Sequence, residues 1–168
     1  MFFYGLLLFK RIAFQTVLCY HFVNLQKVVI MDKFHLLVGK TILECQRIEH
    51  DIKLIYAGML KGDFEENRYD VNNQTLGTVV IALEELDNSD GRPYFSQEDY
   101  KLLKDITRVR NWLVHRSYAD FMYTNEYEWE QKFKKCYKKL RDFNERIEHL
   151  GDQVEAVRIE ALRRYGRI

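Results

Sequence analysis

The chain has 168 residues and a mass of 20.3 kDa, the size of one domain rather than two. Hydrophobic residues make up 47% and charged ones 30%, which excludes a disordered or fibrous chain. Lys plus Arg number 26 against 25 Asp plus Glu, a formal +1, so binding of nucleic acid by bulk charge alone is excluded and any polyanion site must be local.

Residues 1–30 differ in composition from the rest. They hold five phenylalanines (Phe2, Phe3, Phe9, Phe14, Phe22) and three cations (Lys10, Arg11, Lys27), with no acid. The charges follow the apolar run instead of preceding it, which argues against a signal peptide. Lys10 and Arg11 also cut the apolar stretch well below the ~20 residues a bilayer needs. The segment reads as an upstream extension, with a short membrane-associating segment as the rival, and residues 31–168 as a single helical domain that does not engage a membrane.

Within that domain Phe34, Val38, Thr41, Cys45, Ile48, Ile52, Ile55 and Met59 recur at alternating spacings of 4 and 3. This predicts a helix of about eight turns, capped by Asp32 and stopped by Gly62. Asp63 to Val71 is acidic and aperiodic, and reads as an exposed loop. Leu76, Val79, Val80, Leu83 and Leu86 predict a shorter helix over Gln74–Leu86, ended by the Asp87–Pro93 cluster. Ser96 followed by Glu98 and Asp99 marks a capped start, and the helical period then runs from Leu102 to about Ser117. A last helix, about 125–164, carries Trp129, Phe133, Cys136, Leu140, Phe143, Ile147, Leu150, Val154, Val157 and Ala161 at the same 4 and 3 spacing, through Gly151. With a single proline in the chain, the expectation is an all-α bundle of four to five helices with two long heptad-patterned ones. The long pair is expected as an antiparallel hairpin, or with the end of the last helix crossing into a second subunit.

Several common sites have no counterpart in the sequence: there is no phosphate loop, HExxH pair, GxSxG elbow or dense carboxylate cluster. The cysteines Cys19, Cys45 and Cys136 are odd in number and form no CxxC pair, which fits a reducing cytoplasm and neither a disulfide framework nor a zinc knuckle. No metal or cofactor is expected. What remains is the run Arg110-Asn111-Trp112-Leu113-Val114-His115 late in the third predicted helix. On a helix Asn111 and His115, four apart, share a face, while Arg110 and His115 lie about 140° apart. The competing reading is that Arg110, His115 and Arg116 are cations favoured at a helix C-terminus.

This block resembles the R-x(4 to 6)-H signature of the HEPN superfamily, with a polar residue directly after the arginine. The resemblance covers roughly residues 31–150. It implies a compact helical bundle that forms homodimers, and metal-independent endoribonuclease activity in a toxin or antiphage-defence setting. His115 is then the acid/base group, Arg110 the stabiliser of the phosphorane and Asn111 the orienting residue. Two-fold symmetry would bring two copies of Arg110 and His115 to one cleft. A cognate antitoxin or nucleotidyltransferase partner is also implied. HepT-type toxins carry a tyrosine two residues after the histidine, but here that position is Ser117 and the tyrosine is Tyr118.

A basic tract follows: Lys132, Lys134, Lys135, Lys138, Lys139 and Arg141, with Tyr137 interleaved. Lys134, Lys135, Lys138, Lys139, Arg116 and Tyr118 are candidate RNA-binding residues. The simpler reading of the tract is the solvated face of an amphipathic helix. Trp112 and Trp129 read mainly as core aromatics, with substrate stacking as the lesser alternative for Trp112. The alternatives to a nuclease are a non-catalytic HEPN-like nucleotide- or protein-binding module and a structural coiled-coil protein.

Overall fold

A computed structural model describes the backbone of residues 2–89 and 91–168 and the side chains of residues 27–89 and 91–168. Six helices and no strand occur among the described residues: α1 (Phe2–Met59), α2 (Phe64–Asn72), α3 (Leu76–Asn88), α4 (Gln97–His115), α5 (Ala119–Met122) and α6 (Glu126–Arg164). The all-α expectation holds. By packing the chain divides into residues 1–37 and 38–168. The first unit is helical from Phe2, and in it Val29 and Leu36 are exposed. Asp32 lies inside α1 and caps nothing, which corrects the expected helix start. The reading of residues 1–30 as a foreign extension rests on side chains that, up to residue 26, lie outside the described ones. No helix of the described residues is long and apolar enough to cross a membrane.

The second unit is a bundle around the α1 and α6 seams. Cys45, Ile48, Ile52 and Ile55 of α1 meet Ile147, Leu150, Val154 and Ala161 of α6, with Val79, Val80 and Leu83 of α3 and Leu103 and Ile106 of α4 in the same core. Each fully buried Ile or Leu contributes ~1.5–3 kcal/mol through the apolar area it removes from water.

The long pair runs parallel within one chain, not as an antiparallel hairpin. Thr41 Oγ1 donates to Asn144 Oδ1 at 2.9 Å, Arg47 reaches Asp152 and Glu155, and Arg158 pairs with Asp51 at 3.0 Å, so position rises along both helices together. The Arg158 Nε–H is not aimed at that carboxylate, which makes the contact an ion pair rather than a hydrogen bond. Parallel neighbours need a long crossover, and the segment from α2 to α5 supplies it. Thr41 and Asn144 are both buried, and a polar pair inside an apolar seam penalises slipped registers.

α3 and α4 form the antiparallel hairpin. Its turn is tied by Asp87, whose buried carboxylate accepts from Tyr100 Oη at 2.7 Å and from the backbone N–H groups of Tyr94 and Phe95 at 2.9 and 3.2 Å. α4 starts in a capping box in which Ser96 and Asp99 exchange bonds.

The acidic segment expected as a loop is helix α2. Asp63 caps it, accepting from Glu66 N at 3.0 Å, and Glu65 and Glu66 occupy its first turn, where the helix dipole favours carboxylates. Only Val71 of α2 is buried, which is why no hydrophobic period marks it. The short α5 was also unexpected. It drives Phe121 into an aromatic cluster with Trp129 and Phe133 at the start of α6.

Candidate functional site

α4 presents two faces with different neighbours. Toward α1, the Arg110 guanidinium pairs with Glu49, whose other oxygen takes Lys53 at 3.0 Å. One carboxylate thus holds two cations, and Arg110 is left 34% exposed. Toward α6, Asn111 and His115 line an open cleft of about 490 Å³ together with Arg108, Trp112, Arg116 and Lys139. Both Asn111 and His115 are exposed. The structure therefore brings Asn111 and His115 together and places Arg110 at a separate contact, as the 140° between positions five apart requires.

The end of α4 fixes this cleft. Ser117 Oγ donates back to Leu113 O at 2.7 Å, and the N–H groups of Arg116 and Ser117 both reach Trp112 O at 2.9 Å. These bonds satisfy the Trp112 and Leu113 carbonyls without a cationic side chain. His115 lies in the last turn of α4.

Trp112 is half-buried rather than a core residue, and this corrects the sequence reading. Its Nε1–H donates to Asp120 Oδ2 at 2.9 Å, and Lys139 Nζ sits 3.9 Å from the ring centroid. Two further clefts adjoin the first at the same pair. One, of about 260 Å³, is lined by Lys132, Lys135 and Cys136; the other, of about 290 Å³, by Asp105, Arg108, Asp142 and Arg146. Trp129, the second expected core aromatic, is also half-buried and stacks on Phe133 at 5.0 Å.

The basic tract splits. Lys135 and Lys139 line the clefts; Lys134 pairs with Glu130 at 2.6 Å, and neither it nor the exposed Lys138 lines any of the three. Tyr118 packs on Phe121 with 6.1 Å between centroids and does not line them either. Burial, then the nearby Cys136, pushes its phenol above the ordinary value. Ser117, which stands where HepT-type toxins have tyrosine, is fully buried.

Sequence reasoning missed Arg108, Lys132 as a cleft residue, Asp120 and Arg146. The signal was present. Lys132, Lys135, Lys139, Asp142 and Arg146 repeat at spacings of 3, 4, 3 and 4, a polar stripe one position off the α6 seam.

Among the described residues no group of three or more His, Cys, Asp or Glu is placed to hold a metal ion. Burial pushes the thiols of Cys45 and Cys136 up to about 11, so at neutral pH both stay protonated and are poor nucleophiles. Compared with known proteins, the chain matches no family model, no curated protein and no solved structure.

Proposed function

We propose that the chain is a metal-independent endoribonuclease of HEPN type, working as a homodimer in a toxin or antiphage-defence setting. The reading is carried by the convergence of Asn111 and His115 on one cation-lined cleft. One His115 takes the 2′-OH proton as that oxygen attacks phosphorus. A second, protonated His115 from the other copy gives its proton to the leaving 5′-oxygen. The P–O5′ bond breaks, leaving a 2′,3′-cyclic phosphate and a 5′-hydroxyl. Histidine suits both roles because it titrates near neutrality. Asn111, one helical turn before His115, orients the ring or a phosphate oxygen. Arg110 grips the phosphorane once the substrate's charge competes with Glu49 for it.

Purified protein should cleave RNA in EDTA, and His115→Ala should lower the rate at least ~100-fold, the low end of general acid/base contributions. A 2′-deoxy substitution at the cut site should block cleavage. A smaller loss with His115→Ala, or a monomer by solution mass measurement, overturns the reading. The Arg110 pairing with Glu49 favours a second reading, a non-catalytic HEPN-like module in which Arg110 ties α4 to α1. Under it the clefts bind a nucleotide, nucleic acid or protein and release it unchanged.

A further inference from the structure

The three clefts between α4 and α6 share Trp112 and Lys139, which makes them bays of one furrow. Six cations line it: Arg108, Arg116, Lys132, Lys135, Lys139 and Arg146. Three acids line it as well: Asp120 accepts from Trp112, Asp142 takes Arg141 at 3.3 Å, and Asp105 pairs with Arg108, one of the six, at 3.0 Å. Lys132 is held by Glu128 at 2.6 Å, so the cations still outnumber the lining acids by six to three. In a chain of net charge +1 this is a local concentration of positive charge around an indole.

The indole is held ready. Its bond to Asp120 fixes the ring, so presenting a face to a ligand costs little ordering. The group on that face is a lysine ammonium on a flexible stem, which a phosphate can draw aside while a base takes its place on the ring. We propose that this furrow holds a single strand of nucleic acid, with one base stacked on Trp112 and the flanking phosphates on Lys139, Lys135 and Arg108. A single strand has bases free to stack on the indole, whereas the bases of a duplex are already stacked on one another. An acidic peptide would use the cations but has no group that needs the indole. The proposal rests on the nuclease reading only for the strand being RNA; the furrow itself does not depend on cleavage.

The chain has two tryptophans, so in the full-length Trp129→Phe variant Trp112 is the sole indole emitter. The probe is a 2′-O-methyl RNA of about ten nucleotides, within the site sizes of single-strand binders and unable to cleave itself. Saturable quenching of Trp112 is expected, with a log K against log salt slope of about −2 to −3, as for three or four neutralised phosphates on a single strand. Lys139→Gln should weaken binding about tenfold, and the pre-annealed duplex should bind at least about tenfold more weakly than the strand. Binding measured by anisotropy should fall about 5- to 150-fold in Trp112→Ala, the range for losing one stacked base. Equal quenching by the duplex or by polyglutamate overturns the proposal, since the furrow is then a general polyanion patch. Absence of quenching in a protein that cleaves RNA through His115 also overturns it and leaves the nuclease reading standing. Quenching without cleavage supports the furrow and removes the nuclease reading.

Discussion

The two faces of α4 carry similar side chains to different ends. Arg110 points toward α1 and meets an acid, Glu49, that already holds Lys53. Arg108, His115 and Arg116 point toward α6, where they line open clefts shared with further cations. The inner face therefore bears on stability as well as on the catalytic role proposed for Arg110, and the outer face on recognition. A charge in a partly desolvated pair is costly to strip of its partner, whereas an exposed charge is cheap to remove. Substitutions on the outer face should alter function without altering folding, whereas those on the inner face should alter folding.

The largest effect belongs to the anchor at the start of α4. Asp87→Ala would leave the buried Tyr100 hydroxyl and two backbone N–H groups without an acceptor. A loss of about 3–5 kcal/mol is expected, at ~1–3 kcal/mol for each stranded group with some relief by water. Urea denaturation measures it, and a loss below about 1 kcal/mol would mean that the α3–α4 turn is held by something else.

Next comes the inner cation. Arg110→Ala and Glu49→Ala should each cost ~1–2 kcal/mol, between the values for exposed and fully buried ion pairs. A double-mutant cycle should return a favourable coupling of at least ~0.5 kcal/mol. His115→Ala on the outer face should stay within ~0.5 kcal/mol of wild type. If His115→Ala destabilises as much as Arg110→Ala, the division between faces fails.

That division was only partly legible in the sequence. The i, i+4 relation of Asn111 and His115 is a property of any helix, and it placed both in one cleft. The partner of Arg110 lies 61 residues away in sequence, and no local pattern announces such a contact. The heptad seams of α1 and α6 marked both helices and their buried faces. Their direction depends on the path between them, and α2 was hidden because it buries only Val71. Trp112 read as core because its spacing fits the α4 period, yet a position on the boundary of an apolar stripe serves core and groove alike.

The pH dependence of stability tests the anchor in another way. Burial, reinforced by the hydrogen bond to Asp87, raises the Tyr100 phenol far above its ordinary 10.0. Above pH 10 the unfolded chain releases this proton while the folded one keeps it, so stability falls as pH rises through that range. Tyr100→Phe should remove that part of the alkaline slope. Asp99 works in the opposite direction. Burial raises its pKa, but bonds from the Ser96 side chain and backbone and from Gln153 outweigh it, leaving the carboxyl below its ordinary 3.8. The stability it contributes is present above that value and is lost as pH falls below it. An acid limb unchanged in Asp99→Asn would show that the capping box does not report on folding.

The smallest effect is expected at Gly151, a buried glycine in the middle of α6. A Cβ there would collide with Glu44 Oε1 and Arg47 Nη2, the ends of the ion pair that α1 lays across it. Both atoms end flexible side chains, and Arg47, itself about one-third exposed, has Asp152 and Glu155 as further partners on α6. The pair can swing away at the cost of one partly exposed contact, worth up to ~1 kcal/mol. Replacing a mid-helix glycine with alanine returns about 1 kcal/mol of propensity. Gly151→Ala should therefore leave the urea midpoint nearly unchanged. Gly151→Val adds two methyl groups on the same face, and a loss larger than that of Gly151→Ala would show that the close approach of the two parallel helices, rather than the ion pair above it, requires the glycine.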